Sequence, residues 1–310
     1  MCSGLRRAGI ARFQGVLLLT GATGMVGTPL LRRLVAARVP VRCLVRDPKR
    51  LGPERVRVQI ALGDLTDPPS FRNALRGVKT VVHLAGAIRD QSVGSIEELN
   101  GIATWRMVQA AERAGVEHFV YLSALGAGSH NRTRYLRAKA LAEQAVTDSG
   151  LRHTVVAPSL VYAPGDYWAT LIGRLALAPV VPLPGGSHSR SQPIWSEDVA
   201  DCLMAIIRAP ADPDVASARY ELAGPDTLSS AEVAHTILRA AGRERAVVSV
   251  PTFIASRALR VAEALAKSRT PVTWDEAELL QVAMTSRHGT AQAEALGVVP
   301  QRMAAVLGTA

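Results

Sequence analysis

The chain has 310 residues, of which 48% are apolar and 20% are charged, proportions typical of a globular protein. Its net charge of +10 comes from 32 arginines and four lysines dispersed along the chain, and only 4% of residues are aromatic, which argues against a nucleic-acid partner. Cys2, Cys43 and Cys202 have neither disulfide nor metal-ligand spacing. We therefore expect a cytoplasmic protein without a metal ion, whose positive charge favours phosphorylated cofactors or the inner face of a membrane.

The first predicted element is a strand that leads through a glycine-rich turn into a helix. The apolar run 16–19 has the length of a strand covered on both faces. Gly21 permits a sharp turn, Gly24 lets the backbone approach a phosphate, and Gly27 lets the helix pack on the strand. Three glycines alone are weak evidence, but the strand before them and the helical pattern after them predict a site for a dinucleotide pyrophosphate.

Strands and helices alternate through the rest of the first half. Strands are predicted at residues 41–45, 56–61, 80–85, 118–123 and 152–157, and helices at 70–75, 97–115 and 134–150. This alternation predicts the α/β class, with a doubly wound parallel sheet (a Rossmann fold) over residues 14–160. Prolines and glycines crowd residues 158–193, and helical patterns recur at 196, 229–241 and 252–267. We therefore expect residues 161–310 to form a smaller C-terminal α/β lobe, interleaved with the last sheet strands.

The ends of the second and third strands carry candidate contacts for adenosine. Arg46 follows the second strand, where a guanidinium suits a 2′-phosphate, so NADP(H) is favoured while NAD(H) stays open because Asp47 is the next residue. Asp64 and Leu65 follow the third strand and could contact the adenine amine and ring face. Asp64 serves equally well as a simple turn cap.

The fourth strand and the helix after it contribute the nicotinamide side of the predicted site. Ala85 and Gly86 place small side chains beside the nicotinamide ribose. His83, inside the strand, is interpreted as structural. Asn100 in the next helix either supports a proton path or binds a backbone carbonyl, or it is simply a polar residue of the helix.

Tyr135 and Lys139 are four residues apart and therefore share a helix face. A neighbouring ammonium favours the phenolate and is expected to lower the tyrosine pKa from about 10. Tyr135 is thus a candidate general acid for a carbonyl oxygen that receives hydride, Lys139 also reaches a ribose hydroxyl, and Ser123 hydrogen-bonds the same oxygen. An accidental pair on a surface helix is the alternative.

These motifs resemble the atypical branch of the short-chain dehydrogenase/reductase superfamily over residues 15–199. The stretches around Ser123, Tyr135, 182–200 and 271–300 are most similar to the nucleotide-binding accessory subunit of respiratory complex I and its bacterial relatives. The resemblance implies catalysis by Ser123, Tyr135 and Lys139. It also implies NADP(H) contacts at Gly21, Thr23, Gly24, Met25, Val26, Gly27, Arg46, Asp64, Leu65, Ala85, Gly86, Tyr135, Lys139 and Pro158.

Three functions stay open at this point. The first is an NADP(H)-dependent oxidoreductase for an unknown small molecule, with a greasy or quinone-like substrate suggested by the apolar stretch 171–181. The second is a nucleotide-holding assembly or redox-sensing subunit on a membrane complex, since that subfamily often binds nucleotide without a demonstrated reaction. The third is epimerase or isomerase chemistry with a recycled cofactor. An apolar stripe over 253–265 is either a membrane-surface helix or part of the lobe core.

Overall fold

The computed structural model describes residues 15–184, 189–209, 217–250 and 273–309. The strands are β1 (Val16–Thr20), β2 (Val41–Val45), β3 (Gln59–Leu62), β4 (Val78–His83), β5 (His118–Leu122), β6 (Arg152–Pro158), β7 (Val161–Tyr162), β8 (Val180–Pro184), β9 (Arg190–Ser191), β10 (Ile194–Trp195), β11 (Ser217–Leu222), β12 (Leu228–Ser229) and β13 (Ala246–Val250). The α-helices are α1 (Gly27–Ala36), α2 (Pro68–Phe71), α3 (Ala103–Arg113), α4 (Arg134–Thr147), α5 (Tyr167–Leu175), α6 (Ser196–Arg208), α7 (Ser230–Ala240), α8 (Trp274–Leu279), α9 (Ala291–Ala295) and α10 (Met303–Val306). Two 3₁₀ segments (Pro48–Val56, Arg72–Leu75) and a π-helical turn (Glu98–Ile102) complete them.

The main sheet has seven parallel strands in the order β11-β6-β5-β4-β1-β2-β3. The order reverses between β1 and β4, and the carboxyl ends of strands at such a switch point open a crevice that binds ligands in doubly wound folds. Leu17, Leu18 and Leu19 of β1 are fully buried. Their burial on both faces explains the continuous apolar run in the sequence. The predicted doubly wound α/β fold is confirmed.

Helices cover both faces of this sheet. On one face, α1 and α6 pack together through Leu30, Leu34 and Leu203. Arg33 fixes the same helix pair, since its guanidinium binds Asp201 at 2.6 Å and also Glu197. On the other face, α3 and α4 pack over Phe119 and Tyr121 of the sheet. The contacts with α6 thus hold α1, the helix that begins at the glycine turn, against the sheet.

A smaller lobe follows β6. Its core is made by α5, α7 and the C-terminal residues, with Tyr162, Ile172, Ile237 and Met303 buried among them. Short pairs β10-β7, β12-β9 and β13-β8 frame this core, the middle pair antiparallel. The lobe lies beyond the carboxyl ends of the sheet strands and closes over the crevice.

Three local differences separate the structure from the sequence-based expectations. The edge strand β11 was not predicted. The third strand occupies Gln59–Leu62, because residues 48–56 form a 3₁₀ segment with a break at Gly52. The helix predicted at 97–115 begins with a π turn, and the helix predicted at 252–267 lies outside the described residues.

Candidate functional site

The turn between β1 and α1 is shaped by its glycines. Gly21 has a φ of +70°, which favours glycine, and a Cβ on Gly27 would lie 2.0 Å from the Gly21 carbonyl oxygen. The Gly24 amide donates to that same oxygen at 3.0 Å. No described side chain caps α1, and its first turn holds no acidic residue. The Thr28 and Leu30 amides donate to the Gly24 and Val26 carbonyls, but no described carboxylate offsets the positive end of this helix, which favours an anion there.

A groove runs from this turn in two directions across the strand ends. It consists of two cavities of about 580 and 550 Å³, one beside β2 and β3 and the other beside β5 and α4. The two cavities share Gly21, Gly24, Leu84, Gly86 and Ala87 on their walls. A ligand with its diphosphate on the glycine turn would thus extend one end into each cavity.

The cavity beside β2 has a basic wall made by Arg46 and Arg50. Asp47 also lines it, but its Oδ1 accepts the backbone N–H of Lys49 at 2.9 Å and so caps the 3₁₀ segment. Arg46 is exposed and forms no salt bridge within the described part of the chain. The wall therefore offers a guanidinium without an ion pair, which suits a phosphate, and a carboxylate whose second oxygen is not used by the cap, which suits a ribose hydroxyl.

Asp64 and Leu65 line the same cavity. Asp64 Oδ1 accepts hydrogen bonds from the Thr66 amide at 2.9 Å and the Thr66 hydroxyl at 2.8 Å. The carboxylate therefore caps the local turn, and it remains on the cavity wall at the same time. The two interpretations of Asp64 are compatible, because one carboxylate oxygen is enough for the turn.

The other cavity brings Ser123, Tyr135 and Lys139 together, although they come from the end of β5 and from α4. Lys139 Nζ lies 5.8 Å from the Tyr135 ring centroid and donates to the Leu122 carbonyl oxygen at 2.8 Å. Ser123 Oγ is buried and has no hydrogen-bond partner among the described residues. A buried hydroxyl without a partner is costly, so the Ser123 hydroxyl is available to bind a ligand in this cavity.

The pKa of Tyr135 differs from the sequence-based expectation. Burial raises the pKa of Tyr135 to about 12, whereas we expected the neighbouring ammonium to lower it. The reason is that Lys139 is itself desolvated, which lowers the pKa of its ammonium to about 8, and its hydrogen bond goes to a backbone carbonyl. In the ligand-free protein Tyr135 is therefore a protonated phenol, the form that donates a proton.

The loop after β4 is held by Asn100 in the π turn. Its amide nitrogen donates to the carbonyls of Ala87 at 2.7 Å and Ile96 at 2.8 Å, and its oxygen accepts the Ala87 amide at 3.3 Å. A Cβ on Gly86 would lie 2.6 Å from Asn100 Oδ1 and 3.3 Å from Lys139 Nζ. Small residues are thus required where the loop passes between the turn and the lysine. π turns of this kind are often found at functional sites.

His83 connects β4 to the same turn without reaching the groove. Its Nδ1 lies 2.9 Å from Thr20 Oγ1 and its Nε2 3.1 Å from Thr104 Oγ1, and the Thr104 hydroxyl donates to the Asn100 carbonyl at 2.5 Å. Burial, with a smaller contribution from the Lys139 charge, lowers the pKa of His83 to about 3. A neutral, fully paired imidazole fits the structural interpretation made from the sequence.

Every predicted site residue lies on the walls of this groove. Thr23, Arg46, Asp64, Leu65 and Ala85 line the cavity beside β2 and β3, Met25, Val26, Gly27, Ser123, Tyr135, Lys139 and Pro158 line the other, and Gly21, Gly24 and Gly86 line both. Their individual roles stay predictions.

The sequence did not reveal the lobe residues Tyr167, Trp168, Leu279 and Met284, which also line the cavity beside β5 and α4. They are distant in sequence and carry no motif. Glycine freedom at the turn, an unpartnered hydroxyl and a long two-ended groove fit a dinucleotide such as NAD(P)(H).

Comparison with known proteins agrees with this geometry. A family model described as NAD(P)H-binding matches residues 21–210. An NAD(P)H azoreductase of Xenophilus azovorans is 31% identical over 245 residues, which is 79% of this chain and 80% of that protein. The chain belongs to this NAD(P)H-binding family of atypical short-chain dehydrogenases/reductases.

Two further relatives align over a smaller share of their own length. A ceramide reductase of Caulobacter vibrioides is 31% identical over 199 residues, which is 64% of this chain and 62% of that protein. Subunit 9 of the NADH dehydrogenase [ubiquinone] 1 alpha subcomplex of Arabidopsis thaliana is 28% identical over 234 residues, or 71% of this chain and 56% of that protein. The chain thus spans less than two thirds of either relative.

Solved structures with the same fold include an NADPH-dependent quinone oxidoreductase of Escherichia coli in complex with NADPH. Its TM-score is 0.70 at 18% identity, covering 94% of this chain and 98% of that one. A nucleoside-diphosphate-sugar epimerase of Staphylococcus aureus has a TM-score of 0.74 at 21% identity, with 94% and 99% covered. At these identities the likeness establishes the fold. Within the described residues, the structure has no helix both long and apolar enough to cross a bilayer.

Proposed function

We propose that the protein is an NADPH-preferring oxidoreductase that moves a hydride to or from a carbonyl or alcohol group of a hydrophobic, quinone-like substrate. The observation that carries this proposal is the meeting of Ser123, Tyr135 and Lys139 on one cavity wall, with the Ser123 hydroxyl lacking a partner among the described residues. The preference for NADPH rests on Arg46, an exposed guanidinium on the cavity wall that has no salt bridge among the described residues.

A nicotinamide held in the groove would supply the hydride for the carbonyl carbon in the direction of reduction. Tyr135, protonated at neutral pH, donates its phenolic proton to the carbonyl oxygen, which completes the alcohol. Ser123 donates a hydrogen bond to the same oxygen and orients it. Lys139, 5.8 Å from the Tyr135 ring, stabilises the phenolate that remains.

The proposal is tested by nucleotide consumption with a panel of quinones and aldehydes. Tyr135→Phe removes only the acidic hydroxyl, and we expect kcat to fall by about 10²–10⁴-fold with little change in NADPH binding. Tyr220→Phe makes the same chemical change on the edge strand β11, away from the groove, and should leave kcat unchanged. Equal rates for Tyr135→Phe and the unmodified protein would show that the phenol is not the acid.

The second candidate is a nucleotide-holding subunit that does not turn over. Two observations favour it: a phenol with a pKa of about 12 is a weak acid, and the plant relative carries the name of a respiratory-complex subunit. In that case NADPH binds saturably, no acceptor consumes it, and Tyr135→Phe has no effect on any measured rate. Titration of the unmodified protein with NADPH followed by the acceptor panel therefore separates the two functions.

A further inference from the structure

A third cavity, of about 110 Å³, lies in the lobe beside the groove cavity that is lined by Ser123, Tyr135 and Lys139. Six of its wall residues are aliphatic or thioether side chains of the lobe core: Ile172, Leu175, Val233, Ile237, Met303 and Leu307. It adjoins the groove directly, because both cavities share Leu160, Val161, Ala163, Asp166, Trp168, Leu279 and Met284 on their walls. We call it the lobe cavity.

Three polar side chains on the wall of the lobe cavity are hydrogen-bonded within the protein, whereas the buried Tyr162 hydroxyl on the same wall has no partner among the described residues. Ser189 donates its hydroxyl to the Gln281 carbonyl at 2.5 Å, and Ser230 donates to the Leu280 carbonyl at 3.0 Å. Asp166 caps α5 by accepting the Ala169 amide at 2.7 Å. Most of the remaining wall is aliphatic, and apolar cavities of about this size bind small hydrocarbons.

The reacting groups are confined to the groove. Ser123, Tyr135 and Lys139 line the groove but not the lobe cavity. A substrate with its carbonyl at Tyr135 would therefore place a different, non-reacting part in the lobe cavity. Well-packed cores rarely leave a void of this size, so an open apolar space that adjoins a catalytic groove indicates a binding subsite.

We propose that the lobe cavity binds an aliphatic tail of the substrate, while the carbonyl-bearing ring or head lies at Ser123 and Tyr135. This inference rests on the proposed oxidoreductase function, and it narrows the substrate class to a two-ended, amphipathic carbonyl compound or quinone. The tail passes between Leu160, Trp168 and Met284, the residues that separate the groove from the lobe cavity. Its burial supplies binding energy remote from the reaction.

The first experiment measures kcat/KM for one benzoquinone ring carrying n-alkyl tails of increasing length, with NADPH as donor. Each buried methylene should raise kcat/KM by about fourfold until the tail outgrows the lobe cavity, after which the gain stops. The tail-less quinone reports on the proposed function alone. If it is reduced but tail length has no effect, the lobe cavity is not a subsite and the inference is overturned.

Ala169→Leu places a larger side chain on the wall of the lobe cavity. It should remove the gain from the tail and leave the rate for the tail-less quinone unchanged. Thr170→Leu, on the exposed side of the same helix, adds similar apolar bulk without reaching the cavity and should keep the tail preference. An equal loss for tailed and tail-less quinones in Ala169→Leu would contradict a separate tail site.

A binding measurement keeps the inference testable if no acceptor is reduced. n-Alkylbenzenes of increasing tail length contain no reducible group, and they should raise the Tm of the unmodified protein progressively with length. Ala169→Leu should abolish that dependence. A rise in Tm with tail length and no NADPH consumption would support the lobe cavity and refute the proposed function, whereas no rise would refute the lobe cavity.

Discussion

Arg89 and Glu276 form a buried ion pair that ties α8 to the loop after β4. Glu276 Oε1 accepts from Arg89 Nε at 2.8 Å and contacts its Nη2 at 2.6 Å, and the Glu276 side chain has no exposed area while 29% of Arg89 is exposed. Glu276 Oε2 accepts the Thr273 amide at 3.0 Å and lies 3.4 Å from the Tyr167 hydroxyl. Removing Arg89 and removing Glu276 should therefore change the free energy of unfolding by different amounts.

Arg89→Met leaves the Glu276 carboxylate buried, with Thr273 and Tyr167 as the only remaining hydrogen-bond donors described, both at Oε2. Loss of one partner of a buried pair typically costs about 3–5 kcal/mol, and the remaining donors place our expectation near ~3 kcal/mol. Glu276→Gln leaves the half-buried guanidinium, which water can still reach, so we expect about 1–2 kcal/mol. Because the double variant no longer buries an unpaired charge, it should be about 1 kcal/mol more stable than Arg89→Met alone.

Urea unfolding at neutral pH measures all three variants. The control is Lys79→Met in the exposed pair of Lys79 with Glu117, where both side chains are about half exposed or more and the change should stay within about 1 kcal/mol. The reasoning would be refuted if Glu276→Gln further destabilised Arg89→Met. That result would mean that the carboxylate is hydrated and that its bonds to Thr273 and Tyr167 still stabilise the protein without Arg89.

Three further predictions concern the groove. Gly86→Ala should weaken nucleotide binding at least about tenfold, because the new Cβ would lie 2.6 Å from Asn100 Oδ1. Fluorescence titration with NADPH measures this affinity, and an unchanged Kd would show that the loop can move aside. Arg46→Ala should raise the Kd for NADPH about tenfold without changing that for NADH, since only NADPH carries the 2′-phosphate; an equal effect on both would place the phosphate elsewhere. The pKa of Lys139 is about 8 in the folded protein, below its ordinary 10.5. The free energy of unfolding should therefore rise as the pH goes from 8 to 10.5, by on the order of 3 kcal/mol in total. Urea unfolding at several pH values should show a smaller rise for Lys139→Met.

The central part of the fold could be predicted because parallel strands covered on both faces give continuous apolar runs. The second strand was predicted at its observed bounds, Val41–Val45, for this reason. β11 was missed because Ser217–Leu222 is an edge strand whose polar residues alternate with partly buried ones, a weak signal. Helix period cannot distinguish the π turn at Glu98–Ile102 from the α-helix that follows it.

Sequence motifs located the groove, but they could not give the electrostatics or the lobe. The pKa of Tyr135 depends on how deeply α4 is covered by the rest of the protein, which no local spacing contains. The apolar stretch 171–181 suggested an entrance for a hydrophobic substrate, and the structure places Leu171, Ile172 and Leu175 on the wall of the lobe cavity. The other walls come from residues around 233, 280 and 303, and only folding brings these together.

The strand β11 has one more implication. It comes from the second half of the chain, yet it pairs along its whole length with β6 and completes the main sheet. Glu221 in this strand also accepts a hydrogen bond from the Ser286 hydroxyl, and its backbone amide donates to the Gln292 side chain. A gene fragment that stops after β6 would consequently leave an open sheet edge prone to self-association. Chimaeras with related proteins should therefore exchange β6 and β11 together, because the two strands pair along the whole length of β11.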